Sequence, residues 1–496
     1  MGSATKTAIV IGAGVGGMAA AIHLARGGVR VRLLERADRV GGKLREIVVG
    51  DRTFPAGPSV FTMRGIFEEL FGGAAQLAER LELRAVDPLC RHFFPDGSSL
   101  DLFQDAERTR QAIERFAGAR DARGYMDFRR HAQKIHEIVR GPFMERPVAV
   151  LDLLRPSTLL QIVQIDGSRT LWRAIEEFFV DPRLRQLFGR YATYNGSSPF
   201  HAPGTLAVIA HVENAYGIFA CKGGIYRLAE AMEQLARELG VEIEHGADVD
   251  EILVERDRAV GVRIGGRVER ADLVVANADA AHVYDRLLAA ARPGKKLGEK
   301  YAAEELSLSA YVLLAVADRA PLDLLHHNVF FSRDYRREFD ELVAERRPPA
   351  DPTVYLCADD RVEGSPVEAT ERAFFISNAP PLDDRGRHVD WASEAPRCRE
   401  RIERGLARHG WKIAVRASLE QTPIDFAARF PSSKGALYGL ASNSKMAAFK
   451  RPANQVPGVA GLFLVGGSVH PGAGLPMVCL SARIATKLAL ENLHGR

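Results

Sequence analysis

The feature that most constrains the fold is a glycine-rich turn between a short apolar run and a helix-like segment near the start of the chain. Thr7–Ile11 is β-branched, apolar and followed by glycine, which predicts a buried strand. Residues 18–25 are rich in small side chains and predict a helix, and residues 29–34 predict a second strand. A strand, a helix and a strand so close together form a βαβ unit, the start of a parallel sheet.

The glycines of this turn have the spacing of a dinucleotide-binding site. Gly12 permits the tight turn, Gly14 lets the backbone approach a pyrophosphate, and Gly17 lets the helix pack closely on the strand. The N-terminus of the helix presents its first N–H groups to the phosphates. Glu35 ends the second strand, where its carboxylate would accept hydrogen bonds from the adenosine ribose. The pattern predicts a dinucleotide cofactor.

Composition excludes several other classes of protein. With 496 residues, two or three lobes are expected. The 67 basic and 63 acidic residues leave a net charge of only +4, so we expect no nucleic acid partner. Five cysteines without CxxC spacing argue against a disulfide framework or a zinc knuckle and favour a reducing, cytoplasmic compartment. No run of 18 apolar residues occurs, so no membrane-spanning helix is expected.

Two further glycine pairs extend the predicted cofactor site. Gly41 and Gly42 follow Glu35 and Arg36 after four residues, so a second backbone segment would lie against the cofactor. Near the end of the chain, residues 461–467 predict a strand that ends in a glycine pair, and residues 477–493 predict a helix. Pro476 suits the first turn of that helix.

The sequence of residues 461–476, GLFLVGGSVHPGAGLP, resembles the signature of bacterial-type phytoene desaturases. These enzymes belong to the FAD-dependent amine oxidase and carotenoid desaturase superfamily. Segments at 54–59, 275–279, 422–426 and 435–439 also resemble this family, so the similarity covers nearly the whole chain. Val469 departs from it, since many members have Thr or Ala there. Residues 57–64 and 429–439 look most like the hydroxyneurosporene (methoxyneurosporene) desaturases, which introduce the C3–C4 double bond into 1-hydroxy carotenoids.

The resemblance implies a non-covalently bound FAD rather than NAD. The glycine pair after Glu35 is uncommon in plain NAD dehydrogenases, and the positive end of the C-terminal helix would stabilise the anionic reduced flavin. The implied cofactor-binding residues are Gly12, Gly14, Gly17, Glu35, Arg36, Gly41, Gly42, Lys43, Pro58, Val249, Gly466, Gly467, Pro476 and Met477.

The expected fold is α/β, with a Rossmann-like FAD-binding lobe and a discontinuous α+β substrate lobe. Residues 1–90, 215–290 and 455–496 are predicted to form the FAD-binding domain. Residues 91–214, with helical periodicity, and residues 291–454 are predicted to form the substrate-binding and membrane-contacting domain.

Desaturation removes a hydride and a proton from adjacent carbons, so the protein needs a proton acceptor but no nucleophile. Asp166 and Arg169 occupy the region where related desaturases carry an acidic residue and an arginine proposed for proton handling. Buried beside an apolar substrate, this carboxylate would have a raised pKa, which suits an acid–base role. The alternative is a solvated Asp–Arg pair that caps a helix.

Three other candidates stand out. His470 lies in the C-terminal motif and either touches the flavin or orients the loop, and Tyr438 is equally well a core aromatic residue. His326 and His327 are adjacent, so on a strand they would face opposite ways; we therefore expect no metal site.

A carotenoid dissolved in a bilayer implies a peripheral enzyme on the cytoplasmic side of the membrane. Residues 148–154 and 158–165 are apolar and predict either an interfacial helix pair or ordinary core helices. Oxygen and a quinone both remain open as electron acceptors. Phytoene or neurosporene desaturation, amine oxidation and flavin-dependent carotenoid isomerisation are the alternative functions.

Overall fold

The computed structural model describes residues 5–141, 164–362, 368–382, 389–444 and 447–493. Its strands are β1 Thr7–Ile11, β2 Arg30–Glu35, β3 Glu46–Val49, β4 Arg52–Pro55, β5 Leu83–Ala85, β6 Cys90–Phe93, β7 Ser99–Leu102, β8 Phe219–Cys221, β9 Glu242–His245, β10 Val249–Glu255, β11 Arg258–Ile264, β12 Arg267–Arg270, β13 Leu273–Ala276, β14 Ser309–Asp318, β15 His327–Phe330, β16 Val354–Ala358, β17 Thr370–Ala379, β18 Val415–Gln421 and β19 Leu462–Leu464.

The described α-helices are α1 Val15–Arg26, α2 Arg64–Phe71, α3 Ala74–Arg80, α4 Ala106–Ala117, α5 Ala119–Val139, α6 Leu171–Phe178, α7 Pro182–Gly189, α8 Val208–Tyr216, α9 Arg227–Glu238, α10 Ala280–His282, α11 Arg292–Ala302, α12 Tyr335–Phe339, α13 Trp391–Ala407, α14 Pro423–Arg429, α15 Ala447–Lys450 and α16 Leu475–Leu493. A 3-10 turn, Arg190–Asn195, follows α7 and is used below.

The cofactor lobe is built on a parallel sheet of five strands in the order β19-β13-β1-β2-β9. β1 lies in the centre, with Ile9 opposite Val274 on one side and Arg32 on the other. Helices cover this sheet, so its central strand is a continuous apolar run. The strand predicted at Thr7–Ile11 is confirmed. Helix α1 begins at Val15, three residues before the predicted start, because Gly14 is its N-cap.

The substrate lobe contains a seven-stranded sheet in the order β18-β14-β17-β16-β15-β6-β7. Its neighbours are antiparallel except β15 and β6, which run parallel. The helical expectation for residues 91–214 is wrong at its start. Residues 90–102 form the hairpin β6–β7, because Leu100 and Leu102 alternate with polar residues and complete the sheet edge.

Helices α4 to α8 pack together beside this sheet around buried aromatic side chains. All five strands of the parallel sheet lie within the ranges predicted for the FAD-binding domain. The exact domain division stays a prediction. Within the described ranges, no helix is both long enough and apolar enough to cross a membrane. The helix pair predicted at 148–154 and 158–165 lies almost wholly outside the described residues.

Candidate cofactor and substrate site

A single cavity of about 1090 Å³ joins the carboxyl edge of the parallel sheet to the space between the seven-stranded sheet and helix α8. Of the predicted cofactor residues, all except Gly17 line it. Gly17 instead supports the turn from behind: a Cβ at this position would lie 2.0 Å from the carbonyl oxygen of Gly12. This contact matches the predicted close packing of helix on strand.

The first glycine turn holds a conformation that larger residues would disturb. Gly12 has φ of +90°, in the left-handed region that favours glycine. A Cβ at Gly14 would lie 2.7 Å from the side-chain amide of Asn277, and one at Gly466 would lie 2.9 Å from the same side chain. Asn277 therefore sits between the N-terminal and C-terminal glycine loops and sets the spacing between them.

Glu35 is 7% exposed and is held in place by the backbone. Its carboxylate accepts hydrogen bonds from the N–H of Ala13 at 2.6 Å and from the N–H of Ala37 at 2.9 Å. Each carboxylate oxygen has a second lone pair, so Glu35 can still accept hydrogen bonds from hydroxyl groups in the cavity.

The second glycine pair packs directly on the first turn. Gly41 pairs with Gly14 in a parallel bridge, and a Cβ on Gly42 would lie 3.1 Å from the Cα of Gly14. Next to the pair, Nζ of Lys43 donates to the carbonyl oxygen of Leu437 at 2.6 Å. Burial lowers the pKa of Lys43 and raises that of Asp279, and the attraction between the two groups opposes both shifts.

Arg451 and Ser481 shape the C-terminal loop. The buried guanidinium of Arg451 donates from Nη1 to the carbonyl oxygens of Tyr438 and Gly467, both at 3.0 Å. The hydroxyl of Ser481 donates to the carbonyl oxygen of His470 at 2.8 Å. Together these contacts fix the path of the loop into α16, whose first residues, including Pro476 and Met477, line the cavity.

A model of the flavin containing amine oxidoreductase family matches residues 15–361. The chain belongs to this family. It is 39% identical to the hydroxyneurosporene desaturase of Rubrivivax gelatinosus, over 99% of this chain and 94% of that protein. It is 36% identical to the 4,4'-diapolycopene oxygenase of Methylomonas sp, over 98% of each chain. It is 33% identical to the zeta-carotene-forming phytoene desaturase of Myxococcus xanthus, over 98% of this chain and 94% of that protein.

Solved structures show the same fold at low sequence identity. A putrescine oxidase variant has a TM-score of 0.61 and 14% identity, and the match covers 99% of this chain and 100% of the oxidase chain. Cyclohexylamine oxidase from Brevibacterium oxydans has a TM-score of 0.57 and 15% identity, and the match covers 99% of this chain and 100% of that enzyme. The chain is therefore an FAD-dependent oxidoreductase, and both the predicted fold and the predicted FAD cofactor are confirmed.

The glycine turns fit FAD in this family member. They form a cradle that a single Cβ at Gly14 or Gly466 would obstruct, and Glu35 keeps acceptor capacity beside it. The helix N-terminus of α1 opens on the same cavity, where it favours phosphate groups.

Two contributors, Asn277 and Arg451, were missed by the sequence reasoning. Asn277 directly follows β13 at the carboxyl edge of the sheet, the edge at which Glu35 ends β2. The position at a strand end could have revealed Asn277 from the sequence. The sequence around Arg451 offers no comparable indication, because the role of Arg451 depends on the carbonyl groups of two distant loops.

The structure gives Asp166 and Arg169 an environment other than the expected one. Ile165 and Gly167 line the cavity, but the side chains of the pair are not part of its wall. Asp166 accepts hydrogen bonds from Nε of Arg169 at 2.6 Å and Nε2 of His131 at 3.1 Å. Burial raises its pKa, yet these two partners outweigh burial, so the pKa is lowered and the expected rise is wrong. The acid–base role stays a prediction.

The expectation that His326 and His327 face opposite ways is also wrong. β15 begins only at His327, so strand alternation does not apply to the pair, and their ring centroids lie 4.4 Å apart. Cys357 joins them, and one ligand-type atom from each residue lies within 4.8 Å of the others. Burial lowers the pKa of both histidines and raises that of the thiol, which favours neutral groups. That the site holds no metal stays a prediction.

The remaining candidates lie beside the cofactor loop. Tyr438 lines the cavity, and burial raises its pKa. The carbonyl oxygen of His470 accepts hydrogen bonds from Asn454 and Ser481, which anchors the loop at this residue. These bonds use the backbone of His470, so whether its side chain touches the flavin or orients the loop stays a prediction.

Proposed function

We propose that this oxidoreductase is a carotenoid desaturase that introduces the C3–C4 double bond into 1-hydroxy or 1-methoxy carotenoids. The observation that carries the proposal is the continuous cavity, which runs from the cofactor cradle into a largely apolar chamber. The chamber is lined by side chains such as Ile209, Val212, Val329, Phe374 and Ile376. The full-length similarity to hydroxyneurosporene desaturases supports the choice of substrate.

An apolar chamber suits a substrate that offers almost no polar groups. Burial of apolar surface contributes roughly 25 cal/mol per Å², so a long polyene gains much of its binding free energy along such walls. Bound FAD supplies the hydride acceptor. The chain itself positions the polyene, excludes water from the reacting carbons and removes one proton, so a C–C single bond becomes a double bond as a hydride and a proton leave.

We propose further that the enzyme reaches its substrate from the surface of the cytoplasmic membrane, because carotenoids dissolve in the bilayer. Oxygen and a quinone are the two candidate electron acceptors. Assays with oxygen and, separately, anaerobic assays with a quinone would identify which one sustains turnover.

The test uses the FAD-loaded protein with liposomes that contain 1-hydroxyneurosporene, neurosporene or phytoene. We expect the hydroxylated substrate to lose two hydrogen atoms and its absorption to move to longer wavelength, as conjugation grows. Preferential conversion of phytoene would instead favour phytoene desaturation, which the similarity to the Myxococcus xanthus enzyme keeps as a second candidate. A gain of oxygen in the product mass would favour oxygenation, the activity named for the Methylomonas relative.

A further inference from the structure

A cluster of buried polar side chains interrupts the apolar part of the cavity wall. Arg190 and Tyr194 belong to the 3-10 turn after α7, Glu213 belongs to α8, and all three line the cavity. Arg190 is 7% exposed and Glu213 is 4% exposed. Charged groups buried in apolar surroundings cost free energy unless their polar atoms are paired, so such a cluster calls for an explanation.

Glu213 is well paired, whereas Arg190 is not. The carboxylate of Glu213 accepts hydrogen bonds from the hydroxyl of Tyr191 at 2.7 Å and from the hydroxyl of Tyr194. Within the described part of the chain, the guanidinium of Arg190 makes one hydrogen bond, from Nη1 to the Tyr194 hydroxyl at 3.4 Å, and its buried Nε has no partner. The guanidinium lies over the rings of both tyrosines, 5.3 Å from each centroid.

The guanidinium stays charged in this place. Burial lowers the pKa of Arg190, but attraction to nearby groups that include the carboxylate of Glu213 raises it by more, and the net shift is upward. A guanidinium is a donor only, with five N–H groups. Arg190 is therefore a fixed cation with spare donors on the wall of a chamber that otherwise suits a hydrocarbon.

We infer that Arg190 donates hydrogen bonds to the terminal oxygen of the substrate, while Tyr194 and Glu213 hold the guanidinium in place. The inference rests on the proposed function and names the group that selects carotenoids oxygenated at C1. A hydroxyl and a methoxyl both present an oxygen lone pair to Arg190. A hydrocarbon end would leave the donors of Arg190 unpaired, and a buried unpaired donor costs about 1–3 kcal/mol.

The position of the cluster agrees with the chemistry. At about 1.5 Å per bond, the oxygen on C1 lies only about 4–5 Å from the C3–C4 bond, so its partner must lie near the cofactor. Helix α8, which carries Glu213, packs through Val212 against Met63 and Leu480. Met477, at the start of α16 beside the C-terminal loop, packs against the same two residues. The helix that carries Glu213 and the first residues of α16 thus meet at one apolar cluster.

Arg190→Met tests the inference, since methionine keeps much of the volume and removes the donors. The FAD-loaded proteins are assayed with 1-hydroxyneurosporene and with neurosporene, which lacks the hydroxyl. For the unchanged protein we expect kcat/KM to favour the hydroxylated substrate by about 10-fold or more. In Arg190→Met we expect that ratio to fall close to one. Arg185→Met is the matched control, because Arg185 lies on α7, bonds to the carbonyl oxygen of Phe179 and does not line the cavity.

Each outcome bears on a separate claim. If the unchanged protein converts neither carotenoid, the proposed function fails. If it converts both equally, or if Arg190→Met keeps the preference, desaturation stands and the inference fails. If Arg190→Met loses flavin or unfolds at a lower temperature, Tyr194→Phe is the second variant. It keeps the ring under the guanidinium and removes the one hydroxyl to which the guanidinium donates. It should lower the same ratio of kcat/KM values. An unchanged ratio in Tyr194→Phe would then overturn the inference.

Discussion

The hydroxyl of Tyr355 lies 2.8 Å from the hydroxyl of Ser59, and this contact joins the seven-stranded sheet to the segment that carries Pro58. The same tyrosine hydroxyl lies 2.7 Å from Nδ1 of His327. Both Ser59 and Tyr355 line the cavity. Burial raises the pKa of Tyr355 and lowers that of His327, so the chain of three groups is neutral and links the seven-stranded sheet to Ser59 at the cavity wall.

Replacement of Tyr355 by phenylalanine should destabilise the protein. The variant leaves the ring of His327 and the hydroxyl of Ser59 without this partner, at a cost of about 1–3 kcal/mol. Thermal unfolding should therefore begin at lower temperature. Tyr301→Phe is the control, because the buried hydroxyl of Tyr301 has no partner among the described residues and its loss should cost nothing. Equal midpoints for Tyr355→Phe and the unchanged protein would contradict the prediction.

Glu35→Gln should weaken FAD binding. The carboxylate is expected to accept hydrogen bonds from the ribose, and hydrogen bonds to a charged group contribute about 1.5–3 kcal/mol, or roughly 10-fold or more in Kd. Flavin fluorescence during titration of the apoprotein measures the change. Glu242→Gln, on the neighbouring strand β9 and exposed, should leave the Kd unaltered. An unaltered Kd in Glu35→Gln would refute the ribose contact.

Gly14→Val should abolish flavin binding while the substrate lobe still folds. The branched side chain would press on Asn277 and occupy the space that the pyrophosphate needs. The ratio of flavin to polypeptide after purification is the measurement. Gly65→Val is a suitable control, because a Cβ at Gly65 meets no atom within 4 Å. A soluble Gly14→Val protein with a full complement of flavin would show that the assignment is mistaken.

Asp166→Asn separates a stabilising role from proton handling. The pKa of Asp166 is lowered in the folded protein, so its contribution to stability is present above about pH 3.9 and is lost as the pH falls through the lower folded pKa. We expect the variant to unfold at a lower temperature than the unchanged protein at neutral pH, and this difference to shrink in acid. An unchanged kcat would contradict the predicted acid–base role. A fall in kcat of about 100-fold or more would instead support the acid–base role. Asp181→Asn, at the N-cap of α7, is the matched control.

Release from membranes tests the proposed location. Because the sequence has no run of 18 apolar residues, carbonate or high salt should free the protein from a membrane fraction. Immunoblots of pellet and supernatant give the result. Retention in the pellet after both washes would be inconsistent with peripheral attachment.

The cofactor half of the site could be predicted because its determinants are local. The turn at Gly12, the helix that follows and the acid at Glu35 lie within one βαβ unit, and the strand-end position of Glu35 follows from the strand itself. The C-terminal glycine loop was recognisable for the same reason. Even there, the structure was needed to show that Asn277 separates the two loops, since β13 reaches its place beside β1 only through the strand order of the sheet.

The sequence by itself determined the βαβ unit of the cofactor lobe, because its glycine turn, its helix and its strand ends are contiguous, and the resemblance of its motifs implied FAD and the family. The tertiary structure alone decided how the polar groups in and near the cavity are paired. His131, 35 residues before Asp166, lowers the pKa of that carboxylate, and α8 brings Glu213 beside the turn of Arg190. Burial and pairing set the charge and reactivity of such groups, and both depend on segments that are distant along the chain.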